Sequence, residues 1–401
     1  MDTKQKIEEA LTRSVDTVYP SKEVVAEALS SDKKLRVYMG IDPTATYVHL
    51  GHSTNYIILK RFHELGHKII VLIGDFTAMI GDPSDKSAAR KKLTKEDVKN
   101  NLKTFKEQIG KILDFENKDN PIEFRFNSEW LAKLTFEDSV SLASHFTVQQ
   151  MIERDTFQKR LKDQKPLYVH EFFYPLMQGY DSVALDADIE IGGTDQTFNM
   201  LAGRTLVKAY QQREKFVIST TLLENPVTGE KLMSKSLGTG IAIDEDEFAM
   251  YTKVMQLPDE AILQCFIDCT YLSISEIQSL ENRIKVGENP RDIKMILADE
   301  IVKIYHGAEA SKKAQEYFIQ IFNKKEVAHE GIMEVPAKGK TLEDILLEEN
   351  FVSSKSDLRR LVESGAVSNF ETKDILSIDQ IKEIAVPGVY KVGKSRIIRI
   401  V

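Results

Sequence analysis

Two short strings, half a chain apart, hold residue types suited to phosphate chemistry. His49-Leu50-Gly51-His52 follows an apolar start at Leu35-Arg36-Val37-Tyr38-Met39-Gly40. It opens a stretch in which Tyr56, Leu59, Lys60 and His63 recur at helical spacing. Two imidazoles flanking a glycine at a helix N-terminus make an anion site. The glycine admits a ligand to the backbone, the helix end offers free N–H groups, and the rings donate to oxygens that gain charge. Met233-Ser234-Lys235-Ser236 sets a lysine between two hydroxyls, with Thr228-Gly229-Glu230-Lys231 before it and Gly238-Thr239-Gly240 after it. A third set, Tyr174, Gln178 and Asp181, falls on one face of a predicted helix. Three polar groups there are costly to bury unless something polar faces them. Asp82, just before Pro83, suits either a turn or a ligand.

The surrounding pattern says what must position these residues. Residues 35–240 alternate short apolar runs with amphipathic helices. Lys68 to Gly74 is apolar, β-branched and bounded by glycine, as a buried parallel strand is. Phe124-Arg125-Phe126, Asp188 to Ile191 and Phe216 to Ser219 are further strand candidates. Strands separated by helices predict a doubly wound α/β domain with ligands past the carboxyl ends of its strands. Gly40 to His52, Gly74 to Asp82 and Gly192 to Gln196 all lie just past a candidate strand. Near 116–165 the pattern turns helical and charged, which predicts an insertion. Beyond Ile241 it is almost entirely helical, with breaks at Pro258, Gly287 to Pro290 and Gly307. A turn-rich loop, Glu330 to Lys340, leads to a small α+β unit over 341–401. There Ser354 caps a helix ended by Gly365, and strands follow at Tyr390 to Gly393 and Ser395 to Ile400.

At 401 residues, with 29% charged and 42% apolar residues, the chain has the composition of a soluble protein of two or three domains. Met1 to Ala10 lacks an apolar signal core, and the run from Ile69 to Gly74 is too short to span a bilayer. A cytoplasmic protein with no membrane segment is expected. Cys265 and Cys269 lie one helical turn apart without further ligands nearby, which predicts buried thiols in a reducing compartment and no zinc. The net charge of −8 argues against a general polyanion surface, yet basic residues cluster locally. Lys86, Arg90, Lys91, Lys92, Lys95, Lys99, Lys103 and Lys106 crowd one segment. Lys391, Lys394, Arg396 and Arg399 occupy a tail without acids. Each is either a solvated face or a contact with RNA.

Taken together, the first two strings resemble the paired HIGH and KMSKS signatures of class I aminoacyl-tRNA synthetases. Four further strings are similar to one family of that class, the bacterial tyrosyl-tRNA synthetases. They are Gly40-Ile41-Asp42-Pro43-Thr44-Ala45, Ile80-Gly81-Asp82-Pro83-Ser84, Tyr174-Pro175-Leu176-Met177-Gln178-Gly179-Tyr180-Asp181 and Ile191-Gly192-Gly193-Thr194-Asp195-Gln196. The resemblance implies a Rossmann-like catalytic domain over 1–240, a helical anticodon-binding domain over 241–330, and a tail similar to the RNA-binding fold of a ribosomal small-subunit protein.

It also implies roles. Tyr38 and Asp181 would hold the phenolic hydroxyl of tyrosine. Tyr174, Gln178 and Asp82 would hold its ammonium, with Gln196 near the carboxylate and Asp42 in the same tyrosine-binding set. Thr44, His49 and His52 would line the phosphate and ribose path beside Gly40 and Gly51. Gly193 and Asp195 would meet the ribose, and Leu222 and Leu223 the adenine. Met233, Ser234 and Ser236 would border the ATP, and Lys86, Arg90 and Lys235 would reach the leaving pyrophosphate. Lys391, Lys394, Arg396 and Arg399 would touch tRNA(Tyr). The implied substrates are tyrosine, ATP with its Mg²⁺, and tRNA(Tyr), and the implied assembly is a homodimer formed through the helical insertion. Two positions depart from the family: Leu232 replaces the first lysine of KMSKS, with Lys231 one residue early, and Asp85 stands where glycine is usual. A tryptophanyl specificity and a weakly active RNA-binding relative stay open. Tyr38 and Asp181 suit a phenol better than an indole.

Overall fold

The computed structural model describes the chain apart from residues 1, 84–92, 234–239, 324–332, 338, 350, 353, 371, 373, 394 and 395. Two compact units are present, Met1–Ala314 and Gln315–Val401. The first is built on a six-stranded sheet of β1 (Val15–Tyr19), β2 (Arg36–Ile41), β3 (Lys68–Ile73), β4 (Glu123–Phe126), β5 (Ile189–Gly193) and β6 (Phe216–Thr220). The spatial order is β1-β6-β5-β2-β3-β4. All neighbours are parallel except β1, which runs antiparallel to β6.

Chain order along this sheet reverses between β2 and β5. From β2 it moves outward to β3 and β4, and from β5 the other way to β6. The crevice beyond the carboxyl ends of strands at such a reversal is where doubly wound sheets bind ligands. Residues Ile69 to Ile73 of β3 are buried throughout, as a strand covered on both faces requires. β1 was not foreseen: Val15-Asp16-Thr17-Val18-Tyr19 is short and polar at its second and third positions, which suits an antiparallel edge.

Three helices position the crevice. Leu50–Glu64 joins β2 to β3 and buries Tyr56, Ile57, Ile58, Leu59 and Phe62 between the sheet and neighbouring helices. Val169–Ala184 enters β5, and Thr197–Gln211 leaves it. The last two cross closely at Gly179 and Gly203. A Cβ at Gly179 would lie 3.1 Å from the Gly203 nitrogen and 2.9 Å from Leu206 Cδ1. Within 116–165, Glu123–Phe126 belongs to the sheet as β4. The helices begin only at Ser128, as Ser128–Leu131, Phe136–Ala143, Val148–Ile152 and Asp155–Lys162. Helices Glu247–Met255, Ile262–Cys269, Ile274–Lys285 and Pro290–His306 lie in the first unit with the sheet. Cys265 and Cys269 are free, buried thiols on one of them.

The second unit carries a four-stranded sheet, β7 (Met333–Val335), β8 (Val367–Asn369), β9 (Gly388–Val392) and β10 (Arg396–Ile400), in the order β7-β10-β9-β8. Helices Leu342–Glu348 and Lys355–Glu363 close its core through Leu342, Ile345, Leu346 and Leu358. Ser354 caps the second helix, accepting from the Asp357 N–H at 3.1 Å. Among the described residues no helix is long and apolar enough to cross a membrane.

The close crossing generates a test. Gly179→Ala should lower the stability of the first unit by about 1–3 kcal/mol, because the added carbon presses on backbone that cannot yield cheaply. An unchanged urea midpoint would show that the crossing has slack.

Candidate active site

Site residues gather where β2 and β5 end side by side. β2 carries Tyr38 into the floor of the crevice, where it is fully buried. The chain then passes Gly40, Asp42 and the exposed Thr44, whose N–H bonds the Asp42 carbonyl at 2.8 Å, and reaches His49 at the start of the Leu50 helix. The His49 N–H donates to His52 Nδ1 at 3.3 Å, and the two rings stack with centroids 3.7 Å apart. Both imidazoles therefore sit over the helix N-terminus.

Met233 and the segment from Gly240 to Ala242 come to the same place. The Leu50 N–H donates to the Ile241 carbonyl at 3.0 Å, and His49 bridges Ala242. A Cβ at Gly51 would lie 3.4 Å from Met233 Cβ and 3.2 Å from the His49 ring, so these segments pack closely at this glycine. Ser234, Lys235 and Ser236 lie outside the described residues, as do Lys86, Arg90 and Lys394. Lys231 reaches Asp195, with Nζ 3.6 Å from Oδ2, while Leu232 is buried. Across the end of β5, Gly193 lies between Asp195 and Leu222: a Cβ there would be 2.8 Å from Asp195 Oδ1 and 3.0 Å from Leu222 Cδ2. Leu223 is buried beside Leu222.

Four carboxylates line the inner half of the crevice, each answered by donors. Asp42 accepts from Thr77 Oγ1 at 2.7 Å and from the Tyr174 hydroxyl at 2.9 Å. Asp82 accepts from Gln196 Nε2 at 2.6 Å and from Arg154 at 3.1 Å. Asp181 accepts from Trp130 Nε1 at 2.7 Å and from Asn127 Nδ2 at 3.3 Å. Glu190, on β5, accepts from Gln178 Nε2 at 3.1 Å and pairs with the fully buried Lys215. Asn199 donates to both Gln178 and Gln196, each at 2.9 Å, and so ties the two amides together.

The electrostatics follow from burial. Desolvation pushes Asp42 up to about 7, against the pull of its two hydroxyl donors, with Asp82 and Asp75 adding repulsion. Burial likewise raises Asp181 well above the carboxylate range, and Glu190 and Asp42 push the same way. A cation entering this pocket would relieve all of these carboxylates. Among the described residues no group of three or more His, Cys, Asp or Glu side chains is arranged to hold a metal ion.

Thr77, Asn127, Trp130, Arg154, Ser182, Glu190, Asn199 and Lys215 escaped the sequence reading. Some left a signal: Trp130 is the only tryptophan, and Glu190 interrupts an otherwise apolar buried strand. The basic tail divides. Lys391 and Arg399 share one face of the β9–β10 pair, and Arg399 pairs with Glu334 at 2.9 Å. Arg396 lies on the opposite face, and its guanidinium meets the Phe351 carbonyl. Period-two alternation separates 396 from 399, so the expected single basic surface does not form from these residues.

Comparison with known proteins agrees with this geometry. The family described as tRNA synthetases class I (W and Y) matches residues 30–323. A tyrosine–tRNA ligase of Carboxydothermus hydrogenoformans is 44% identical, covering 98% of this chain and 97% of that protein. One from Thermotoga maritima is 42% identical over 95% of this chain and 94% of its own length. A C-terminally truncated Aspergillus nidulans mitochondrial tyrosyl-tRNA synthetase shares the fold at a TM-score of 0.67 and 22% identity, covering 80% of this chain and 94% of that one. An Archaeoglobus fulgidus tyrosyl-tRNA synthetase crystallised with L-tyrosine does so at 0.60 and 21%, covering 79% and 100%. The chain belongs to the class I tRNA synthetases of the tryptophanyl and tyrosyl family.

Asp42 offers a direct check. An acid whose pKa is raised by folding binds its proton more tightly when folded. It favours the folded state at low pH and loses that contribution as pH climbs from its unfolded value toward about 7. The stability of Asp42→Asn relative to the unaltered protein should therefore grow between pH 4.5 and 7 and then level off. A pH-independent difference in urea midpoints would mean that Asp42 does not titrate in this range.

Proposed function

We infer that the chain ligates tyrosine to tRNA(Tyr). The carrying observation is the 40–44% identity to tyrosine–tRNA ligases over nearly the whole chain. It is an enzyme with tyrosine–tRNA ligase activity, working in two steps. The tyrosine carboxylate attacks the α-phosphorus of ATP to give tyrosyl-adenylate and pyrophosphate. The tyrosyl group then passes to the terminal ribose of the tRNA.

The nucleophile is already ionised, so the reaction needs positioning and charge stabilisation more than a strong base. The acidic inner crevice suits the tyrosine ammonium, with Asp82, Tyr174, Gln178 and Asp42 around it and Gln196 toward the carboxylate. Tyr38 and Asp181 take the phenol. Burying a hydroxyl reader lets such a site refuse phenylalanine, which would leave it unpaired. Thr44, His49 and His52 flank the phosphates, Gly40, Gly51 and Met233 border the nucleotide, and Gly193, Asp195, Leu222 and Leu223 take ribose and adenine. Lys86, Arg90 and Lys235, with Ser234 and Ser236, complete the pyrophosphate end. Mg²⁺ would arrive on ATP, held by phosphate oxygens as a hard, hydrated ion.

Homodimerisation is supported by apolar side chains left in solvent on the 128–169 segment, among them Phe136, Val140, Val148, Tyr168 and Val169. Residues 241–330 are assigned to the anticodon. The tail is assigned to tRNA backbone contact through Lys391, Lys394 and Arg399. The exposed Lys355, Arg359 and Arg360 add charge on a neighbouring helix.

Tyrosine-dependent exchange of pyrophosphate into ATP tests the first step. Asp181→Ala should abolish it or relax it toward phenylalanine, since leaving a buried hydrogen-bond partner unmet costs roughly 1–3 kcal/mol. Unchanged kinetics and discrimination in a folded variant would remove Asp181 from the site. Exchange dependent on tryptophan instead would overturn the substrate.

Deleting residues 341–401 separates the two steps. Exchange should persist while tRNA charging falls steeply, and the residual tRNA affinity should depend less on salt. Loss of exchange with tRNA affinity kept would show that the tail supports the catalytic fold instead.

A further inference from the structure

The helix that begins at His49 is gripped from behind by the helical region. Tyr305, buried at the penultimate position of Pro290–His306, donates its hydroxyl proton to Ser53 Oγ at 2.8 Å. Ser53 follows His52 and is fully buried. Its hydroxyl donates onward to the Leu50 carbonyl at 2.7 Å, and its N–H donates to the His49 carbonyl at 3.1 Å. The two peptide groups flanking Leu50 therefore hang on one serine, and that serine hangs on Tyr305.

A serine hydroxyl has one proton. With that proton spent on the Leu50 carbonyl, Ser53 Oγ can only accept, and Tyr305 is the donor placed to meet it. A hydroxyl that bonds back to a carbonyl of its own helix bends the turn it spans. Thr54 Oγ1 reaches the same Leu50 carbonyl at 3.3 Å, so the bend falls on the first turn, where the imidazoles sit. Donation from Tyr305 polarises Ser53 and strengthens its hold on that carbonyl. The next residue, His306, works on the facing segment. Its ring bonds the Glu245 backbone, and Lys111 Nζ donates to the Ile243 carbonyl at 2.8 Å. That segment is the one whose Ile241 and Ala242 pair with Leu50 and His49.

We propose that Tyr305 is a positioning residue for adenylate formation, acting through Ser53 on the placement of His49. The inference rests on the tyrosine-ligating reading, in which His49 flanks the phosphates. A group that answers charge developing on phosphate is effective only where the transition state puts that charge, so a small displacement of its ring costs rate. Tyr305 and Ser53 stand apart from the residues assigned to the ammonium and the phenol. The bond between them therefore bears on the rate of the step and not on the affinity for tyrosine.

Tyr305→Phe removes only the hydroxyl and leaves Ser53 its bond to Leu50, so the variant should fold. At saturating tyrosine and ATP its pyrophosphate exchange should slow about tenfold, while the KM for tyrosine stays within about twofold. Ser53→Ala should act alike from the other end. The pair Tyr305→Phe/Ser53→Ala should be no slower than the slower single variant, because one contact is lost in each. Ile301→Val, at a buried position of the same helix, controls for stability: it should lower the urea midpoint and leave exchange unchanged. The deciding comparison is made in a His49→Ala background, where the imidazole is gone. There Tyr305→Phe should cost less than about twofold. An equal loss with and without His49 would overturn the inference, as would an unchanged rate in Tyr305→Phe or a loss confined to KM. Absence of tyrosine-dependent exchange in the unaltered protein would bring down the functional reading, and this inference with it.

Discussion

An excess of buried acid is the constraint on which the rest of this molecule turns. Asp42, Asp82, Asp181 and Glu190 converge on one crevice, and like charges in partly dry surroundings cannot stay ionised without compensation. The compensation comes from all over the first unit. Tyr174 and Gln178 come from the helix entering β5, Asn127 and Trp130 from just past β4, Arg154 from the helical insertion, and Lys215 from the turn before β6. Asp42 past β2 and Glu190 on β5 are brought into one crevice by the reversal of strand order between those strands. The sheet opens the crevice, and the polar network keeps it acidic at tolerable cost.

A pocket built this way is incomplete until a cation enters it. In the reading proposed above, the α-ammonium of tyrosine would meet that need, with its carboxylate toward the outer half of the crevice. There the character changes from acid to N–H groups and imidazoles at the start of the Leu50 helix, which favours phosphate. Two opposed electrostatic environments thus lie a few residues apart on the same connection after β2. Met233 packs against Gly51 and the Ile241 carbonyl accepts from the Leu50 N–H, so both flanks of that segment meet the start of the Leu50 helix.

Much of this could be read in the sequence because it is local. β3 is a continuous apolar run and β2, β4, β5 and β6 are short, largely apolar or alternating segments between turn signals, and Tyr174, Gln178 and Asp181 keep their helical face despite Pro175 within the helix. What could not be read depends on three-dimensional pairing. Arg154 is one cation among many in a charged stretch until it lands on Asp82. Ser182 is an ordinary helix residue until Gly203 brings the next helix onto it. β7 and β8 are each three residues long, too short for any period to register. The tail misled for the opposite reason: its basic residues are close in sequence, but alternation along β10 sends Arg396 and Arg399 to opposite faces.

The altered signature shows the same rule at work. Successive residues of an extended segment point to opposite sides, so moving a lysine by one position does not restore it but redirects it. Glu224 and Lys231 form a bridge, and the Leu232 N–H bonds the Leu223 carbonyl at 3.0 Å, which fixes the local register. Leu232 consequently turns into the core, and Lys231 turns out toward Asp195. The charge is delivered to the carboxylate assigned to the ribose. At 3.6 Å, with the lysine half in solvent, the pair is worth at most about 1 kcal/mol. Ribose hydroxyls donating to Asp195 could displace it readily. A lysine at position 232 would instead lie on the buried side of the segment, so the contact with Asp195 belongs to position 231.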